Sequence, residues 1–350
     1  MNVIKKIAMI SACIPALSLG VIRIPGSHTV AIPFAEIPTA EAASMPGTTT
    51  ATESLEKAIA YYKAKDYSKA YTLMKQAAEQ GNASAQYNLG LMYVEGKGVN
   101  EDNVEAVNWF RKAAEQGDAG AQNYLGAMYG NGNGVAKNDV EAVNWFRKAA
   151  EQGYVKAQYN LARRYAQGNG VNEDNAEAAK WYRKAAEQGH ATAQFYLAFM
   201  YVQGKGVNED NVEAAKWYRK AAEQGDADAQ GALGFMYDIG KGVVKNNVEA
   251  MKWYRKAAEQ GHAGAQLYLG NMYDKSTTGK GVAKNDVEAV KWYRKSAEQG
   301  NAFAQCSLAF MYARGKGVAK NNVEAVKWFR KAAEQGNIAA QAYLKILVDK

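Results

Sequence analysis

Residues 139–153 read Asp-Val-Glu-Ala-Val-Asn-Trp-Phe-Arg-Lys-Ala-Ala-Glu-Gln-Gly, and close variants of this segment occur in seven copies along the 350-residue chain. Each copy contains one tryptophan, and together the copies hold all 7 tryptophans of the protein: Trp109, Trp145, Trp181, Trp217, Trp253, Trp292 and Trp328. Successive tryptophans are 36 residues apart, except for one step of 39 residues. A constant period of this length is typical of repeat proteins, whose neighbouring units stack and bury a continuous core.

Each repeat contains two segments with a helical pattern. In the first segment, Ala85, Leu89 and Met92 follow three- and four-residue steps, which predicts a helix. A Gly-x-Gly-Val element ends this helix, because glycine tolerates the positive φ that a helix exit commonly requires. The repeated tryptophan segment is the second helix, with Asn103 and its counterparts in the capping position and the glycine of Glu-Gln-Gly at the end.

The complete repeat resembles a known family. Its pattern is Ala-x-Ala-Gln-x-x-Leu-Gly-x-Met-Tyr, then Gly-x-Gly-Val, then Glu-Ala-x-x-Trp-Tyr/Phe-Arg-Lys-Ala-Ala-Glu-Gln-Gly, as in Gln86–Gly117. This pattern resembles the Sel-one-like repeat (SLR), a relative of the tetratricopeptide repeat. The resemblance implies an all-α fold, an α/α solenoid with a right-handed superhelix built from helix-turn-helix repeats of about 36 residues. It also implies a scaffold for protein contacts and no reaction.

The segment before the repeats has the features of a signal peptide. Lys5 and Lys6 precede an apolar run, and Ala40-Glu41-Ala42 forms an Ala-x-Ala pattern. The apolar run is shorter than the roughly 20 residues that a membrane span needs, so we expect no stable membrane span. The cleavage site stays open between Ala42 and the earlier Ser18-Leu19-Gly20, and a lipobox-like Cys13 leaves lipid attachment as an alternative. We therefore expect a bacterial protein that is exported, either periplasmic or secreted.

The domain organisation follows from these patterns. We predict a signal peptide in residues 1–42, a linker in 43–52, a tetratricopeptide-like hairpin in 53–81, seven Sel-one-like repeats in 82–336 and a C-terminal capping helix in 337–350.

The remaining chemistry of the chain gives no pattern of a catalytic, metal or cofactor site. His190 and His262 occupy the same repeat position two repeats apart, too far to share a metal, and are expected to be solvated at helix starts. Cys306 has no partner histidine and is expected to be a small packing residue. We therefore expect no enzyme, no metal and no cofactor.

The charge pattern does not favour nucleic acid. The formal net charge is +8, but acidic and basic residues are interspersed in every repeat. Arg111 and its six equivalents would align in a stack, either as a solvated face or as a site for a polyanion. Glu115 and its equivalents lie four residues on and would partly neutralise this row.

Variation among the repeats is concentrated on one stripe of the first helices, and this stripe is the candidate binding surface. By resemblance, first helices line the concave side of such a stack. The aromatic residues there either pack adjacent repeats together or contact a peptide. Arg164 stands where the six other full repeats have Met, and it either extends to solvent or binds an anionic group. The candidate partner-binding residues are Tyr87, Tyr124, Tyr159, Arg163, Arg164, Phe195, Tyr196, Phe199, Phe235, Tyr268 and Phe310.

These observations predict a non-enzymatic, exported scaffold, a monomer that binds a protein or peptide on its concave face. The alternative is a cell-wall or β-lactam-related ligand binder or hydrolase, which is suggested only by the similar Helicobacter cysteine-rich proteins. This chain lacks a disulfide in each repeat and has no Ser-x-x-Lys motif.

Overall fold

In a computed structural model, residues 50–275 and 283–348 are described, and their regular structure consists of 17 α-helices. Each helix packs against the next one along the chain. The all-α solenoid predicted from the period is therefore confirmed. The predicted signal peptide, most of the linker and the insertion around Ser276 lie outside the described residues.

The odd-numbered helices are the first helices of the repeats, and the even-numbered helices are the second helices. They are α1 (Ala51–Lys63), α2 (Tyr67–Glu79), α3 (Ala83–Glu95), α4 (Asn103–Glu115), α5 (Ala119–Asn131), α6 (Asp139–Glu151), α7 (Val155–Gln167), α8 (Asn175–Glu187), α9 (Ala191–Gln203), α10 (Asn211–Glu223), α11 (Ala227–Ile239), α12 (Asn247–Glu259), α13 (Ala263–Lys275), α14 (Asp286–Glu298), α15 (Ala302–Arg314), α16 (Asn322–Glu334) and α17 (Ile338–Val348).

The caps of the second helices lie one residue earlier than predicted. Asp102, and not Asn103, is the N-cap of α4, and its carboxylate accepts hydrogen bonds from the backbone N–H groups of Val104 and Glu105 at 2.9 and 3.0 Å. Its φ of −150° is extended, whereas Asn103 is already helical. Two consecutive polar residues both satisfy the sequence rule for a cap, and only the backbone conformation distinguishes them.

The Gly-x-Gly element has two separate requirements for glycine. Gly168 ends α7 with a φ of +66°. Gly170 also has a positive φ, and a Cβ built on it would lie only 2.0 Å from the carbonyl oxygen of Asp139, the first residue of α6. The second glycine therefore lets the loop pack directly on the start of the preceding second helix.

The tryptophan segment forms the second helix of each repeat and packs into the core between helices. Six of the seven tryptophans are buried, Trp217 with 7% exposure, while Trp145 is half-buried. The aromatic residue after each tryptophan lies against the small residue of a first helix; a Cβ added at Gly126 would meet the Phe146 ring at 2.9 Å. Small residues thus bring the two helices of a repeat close together, as the sequence predicts.

A pair of glutamines links the two helices of each repeat, and the buried glutamine of the pair also bonds to the preceding repeat. This arrangement was not predicted from the sequence. The Nε2 group of Gln194, in α9, donates to the carbonyl oxygen of Ala186 in α8 at 3.0 Å. The Oε1 atom of Gln194 accepts a hydrogen bond from Gln224, at the end of α10, at 2.7 Å. Gln194 is only 3% exposed, and the same pair recurs in every full repeat. Every full repeat has glutamine at this position, among core positions that are otherwise apolar, and this could have indicated the bond.

Candidate functional site

Contacts between residues two repeats apart identify the inner face of the stack. Tyr87, in α3, lies close enough to Tyr154, which precedes α7, for each hydroxyl to affect the pKa of the other. The carboxylate of Asp226, which precedes α11, is near enough to Tyr159, in α7, to raise the pKa of its hydroxyl. A stack of repeats brings such distant repeats together only on the side toward which it curves. The first helices therefore line the inner face.

The candidate binding residues on the first helices are all half-buried, and none is fully buried or fully exposed. Their rings form groups with the aromatic residues of the second helices. Tyr124 stacks on Phe110 with 5.2 Å between ring centres, and Tyr268 stacks on Tyr254 at 5.1 Å. Phe310 meets Phe329 edge-on at 5.0 Å. One side of each ring thus contributes to packing between helices, while part of its surface stays accessible.

The largest aromatic group is centred on Tyr159 and Tyr196. The Tyr159 ring stacks on His190 at 4.8 Å and lies 6.2 Å from the Tyr196 ring. Tyr196 in turn stacks on Tyr182 at 5.4 Å. Burial raises the pKa of Tyr159 to about 12, against the opposing effect of Arg163. These phenols are therefore neutral near pH 7 and act as rings and hydrogen-bonding groups.

Arg163 lies beside this group. Its guanidinium is 5.8 Å from the centre of the Tyr159 ring, and its positive charge opposes the rise in the pKa of the Tyr159 hydroxyl. Tyr196 is also within its electrostatic range. Among the described residues, the ion pairs do not include Arg163.

Arg164 has a different environment from Arg163. Its guanidinium forms an ion pair with Asp139 and lies 5.7 Å from the Phe146 ring. It packs against the backbone of Gly130, where any Cβ would meet the guanidinium. Its side chain is 16% exposed. The structure thus places Arg164 in an internal pair with the preceding repeat, which is neither of the two environments expected from the sequence.

The residues before the first helices add a polar row to the inner face. Each of Asp118 and Asp226 caps the following helix, and burial raises the pKa of both carboxyl groups. The Nδ1 atoms of His190 and His262 accept hydrogen bonds from backbone N–H groups in the same way. Both histidines lie at helix starts, as predicted. They are half-buried, however, and not fully solvated as the sequence suggested.

His262 also forms a hydrogen bond with a carboxylate. Its Nε2 atom lies 3.3 Å from Asp228, and this hydrogen bond lowers the pKa of the Asp228 carboxyl. With Nδ1 as the cap acceptor, Nε2 carries the proton that is donated to Asp228. This polar row was not predicted from the sequence. The variation at this repeat position among Asn, Asp, Tyr and His could have indicated it.

The basic residues of the second helices are engaged with aromatic residues. Arg111 donates a hydrogen bond to the Tyr129 hydroxyl at 2.9 Å, and the same bond recurs in the next five repeats. The nitrogen of Lys112 lies 4.0 Å from the centre of the Trp109 ring, and the other repeats have the same pair at up to 4.7 Å. The arginines therefore bind the tyrosine of the next repeat, and not the glutamate four residues on.

The described residues contain no group of three or more His, Cys, Asp or Glu side chains that could hold a metal ion. Cys306 is buried, and burial raises the pKa of its thiol to about 11. The thiol is therefore protonated near pH 7, consistent with a packing residue. Within the described part of the chain, no helix is long and apolar enough to cross a membrane.

Comparisons with known proteins agree with this geometry. The Sel1 repeat family matches residues 62–82, 83–118, 119–154, 155–190, 191–226, 227–262, 263–301 and 302–337. The chain belongs to the Sel1 repeat family. Proteins with this fold commonly serve as protein-interaction scaffolds. The first match covers the second half of the N-terminal hairpin and ends at residue 82, where the full repeats begin.

Two solved structures are similar over most of the chain. A protective antigen with an SLR fold from uropathogenic Escherichia coli is 42% identical, with a TM-score of 0.81. The match covers 85% of this chain and 64% of that one, so this chain spans less than two thirds of the antigen. A Sel1 repeat protein from Oxalobacter formigenes is 38% identical, with a TM-score of 0.65, over 85% of this chain and 86% of that one. No curated protein gives a significant match.

Proposed function

We propose that this Sel1 repeat protein is an exported, non-enzymatic scaffold that binds a protein or peptide along its inner face. The observation that carries the proposal is the position of the variable residues. The repeats share their packing residues, yet they differ at half-buried rings on the inner face, such as Phe195, Phe199 and Phe235. Partly accessible aromatic rings on a rigid scaffold are typical of interface hot spots.

Two observations support export. The N-terminal sequence has the basic start, apolar run and Ala-x-Ala pattern of a signal peptide. The similar Escherichia coli protein is described as a protective antigen, and an exported role for this chain is compatible with that description. Sequencing the N-terminus of the mature protein tests this part. Export predicts a start after Ala42 or after Gly20, whereas an intact N-terminus found only in the cytoplasm would contradict it.

Site-specific photo-crosslinking tests the binding face. A photoreactive phenylalanine analogue at Phe199 or Phe235 should form a discrete adduct with a partner in the native organism. The matched control is the same analogue at Val212 or Val248, which are 56% and 53% exposed on second helices. Adducts at the valines but not at the phenylalanines would show that the inner face is not the contact surface.

A further inference from the structure

We propose that the inner face around Tyr159, Arg163 and Tyr196 recognises a peptide segment in which one Asp or Glu lies beside an apolar or aromatic residue. Arg163 would bind the carboxylate, and the two tyrosine rings would contact the neighbouring side chain. This inference rests on the proposed function and specifies the chemistry of its ligand.

The guanidinium of Arg163 has unused hydrogen-bonding capacity. A guanidinium has five N–H donors, and the described ion pairs leave this one without a carboxylate partner. Because the side chain is half-buried, water only partly replaces the missing partner. A ligand carboxylate would fit this position, since arginine binds carboxylates through two parallel N–H bonds.

Arg163 also differs from the adjacent arginine in its surroundings. Arg164 has its own carboxylate, Asp139, and a backbone surface at Gly130 that makes room for its guanidinium. Arg163 has a tyrosine ring and hydroxyl in place of a counter-charge. In the equivalent position, three other repeats have Phe199, Phe235 and Phe310. Arg163 thus adds a charge to a position that is otherwise mostly apolar on this face.

Two nearby carboxylates, Asp226 and Asp228, limit the charge of the ligand. Asp226 accepts a hydrogen bond from the backbone N–H of Ala229 at 2.8 Å, and Asp228 is bound by His262. Both are therefore engaged, and both lie within electrostatic range of Tyr196. They would repel a second acidic group, so the site favours a single carboxylate over a polyanion. The tyrosine rings Tyr159 and Tyr196 provide the apolar contact next to it.

A selection of random peptides displayed on phage tests the inference. It uses the mature wild-type chain and two variants that each install a residue found in other repeats, Arg163→Phe and Arg164→Met. Circular dichroism verifies that both variants are folded. Peptides selected by the wild type should contain one Asp or Glu beside an aromatic or apolar residue, and Arg164→Met should select the same motif. Arg163→Phe should lose the acidic residue from its selected motif.

Fluorescence polarisation then measures one selected peptide and its Glu→Gln copy. Arg163→Phe should weaken binding by about tenfold or more, and so should the Glu→Gln change, with little further loss when both are combined. Arg164→Met should stay within about twofold of the wild type. Selected peptides without an acidic preference, or unaffected by Arg163→Phe, would refute this inference but not the peptide scaffold. Failure to select any peptide would also refute this inference, and the photo-crosslinking described above would then decide whether the inner face binds a folded protein. If an oligothymidylate bound more tightly than the selected peptides, and Arg163→Phe weakened that binding, the ligand of this site would be a polyanion and not a peptide.

Discussion

The buried glutamine pair predicts a large and pH-dependent effect for the isosteric change Gln194→Glu. The carboxylate keeps the shape of the side chain and accepts from Gln224, but it has no hydrogen to donate to the Ala186 carbonyl 3.0 Å away. Gln194 is 3% exposed, so the ionised form also loses hydration. A lost hydrogen bond costs about 1 kcal/mol, and each unit by which burial raises the pKa costs about 1.4 kcal/mol. We therefore expect destabilisation of about 2–4 kcal/mol near pH 7.5.

The sign of the pH dependence gives the sharper test. The pKa of the introduced carboxyl is raised in the folded state, so the folded protein binds its proton more tightly than the unfolded chain. Destabilisation should then grow as the pH rises above about 4.3 and should largely disappear below it, where the protonated acid donates to Ala186. Urea unfolding followed by circular dichroism from pH 4 to 8 measures this difference against the wild type. The control Asn144→Asp makes the same chemical change at an exposed position of α6 and should stay within about 0.5 kcal/mol. A Gln194→Glu variant as stable as the wild type at pH 7.5 would show that the hydrogen bond from Gln194 to Ala186 does not hold neighbouring repeats together.

Three other changes test separate parts of the structure. Trp217→Ala should destabilise the protein by about 3–5 kcal/mol, because the ring is 7% exposed and its loss leaves a cavity; an unchanged thermal melt would contradict this. Gly170→Ala should lower the melting temperature strongly, since the added methyl group would lie 2.0 Å from the Asp139 carbonyl oxygen. The control Gly153→Ala also has a positive φ but has open space around the added methyl group, so it should cost only the backbone strain. Burial lowers the pKa of His190, whose neutral Nδ1 accepts from a backbone N–H. Its contribution to stability is therefore present above the unfolded pKa of about 6.5 and is lost as the pH falls below it, and His190→Asn should remove this part of the pH dependence of unfolding.

The fold was predictable because its signals are local and repeated. The period of the tryptophans, the helical spacing of the apolar residues and the glycines at the helix exits together specify a solenoid before any contact is known. The cap at Asp102 was missed because Asp102 and Asn103 both satisfy the same rule, and the extended φ of the first decides between them. The glutamine pairs were missed because a polar residue in a core acquires its meaning only from its partner, here 30 residues away.

The inner-face site was predictable only as a set of positions. Comparison of the repeats separates shared packing residues from variable ones. It therefore located the variable stripe that contains Arg163, and it marked Arg164 as a departure at a position where the other full repeats have Met. It could not show which of the two arginines has a carboxylate partner. The distinction depends on Asp139, which is 25 residues from Arg164 in sequence and is brought to it by the packing of one repeat on the next. An unusual charge in a repeat protein is therefore a sign of binding only when its counter-charge is missing from the neighbouring repeat. By that criterion Arg163 belongs to the proposed site, and Arg164 belongs to the core.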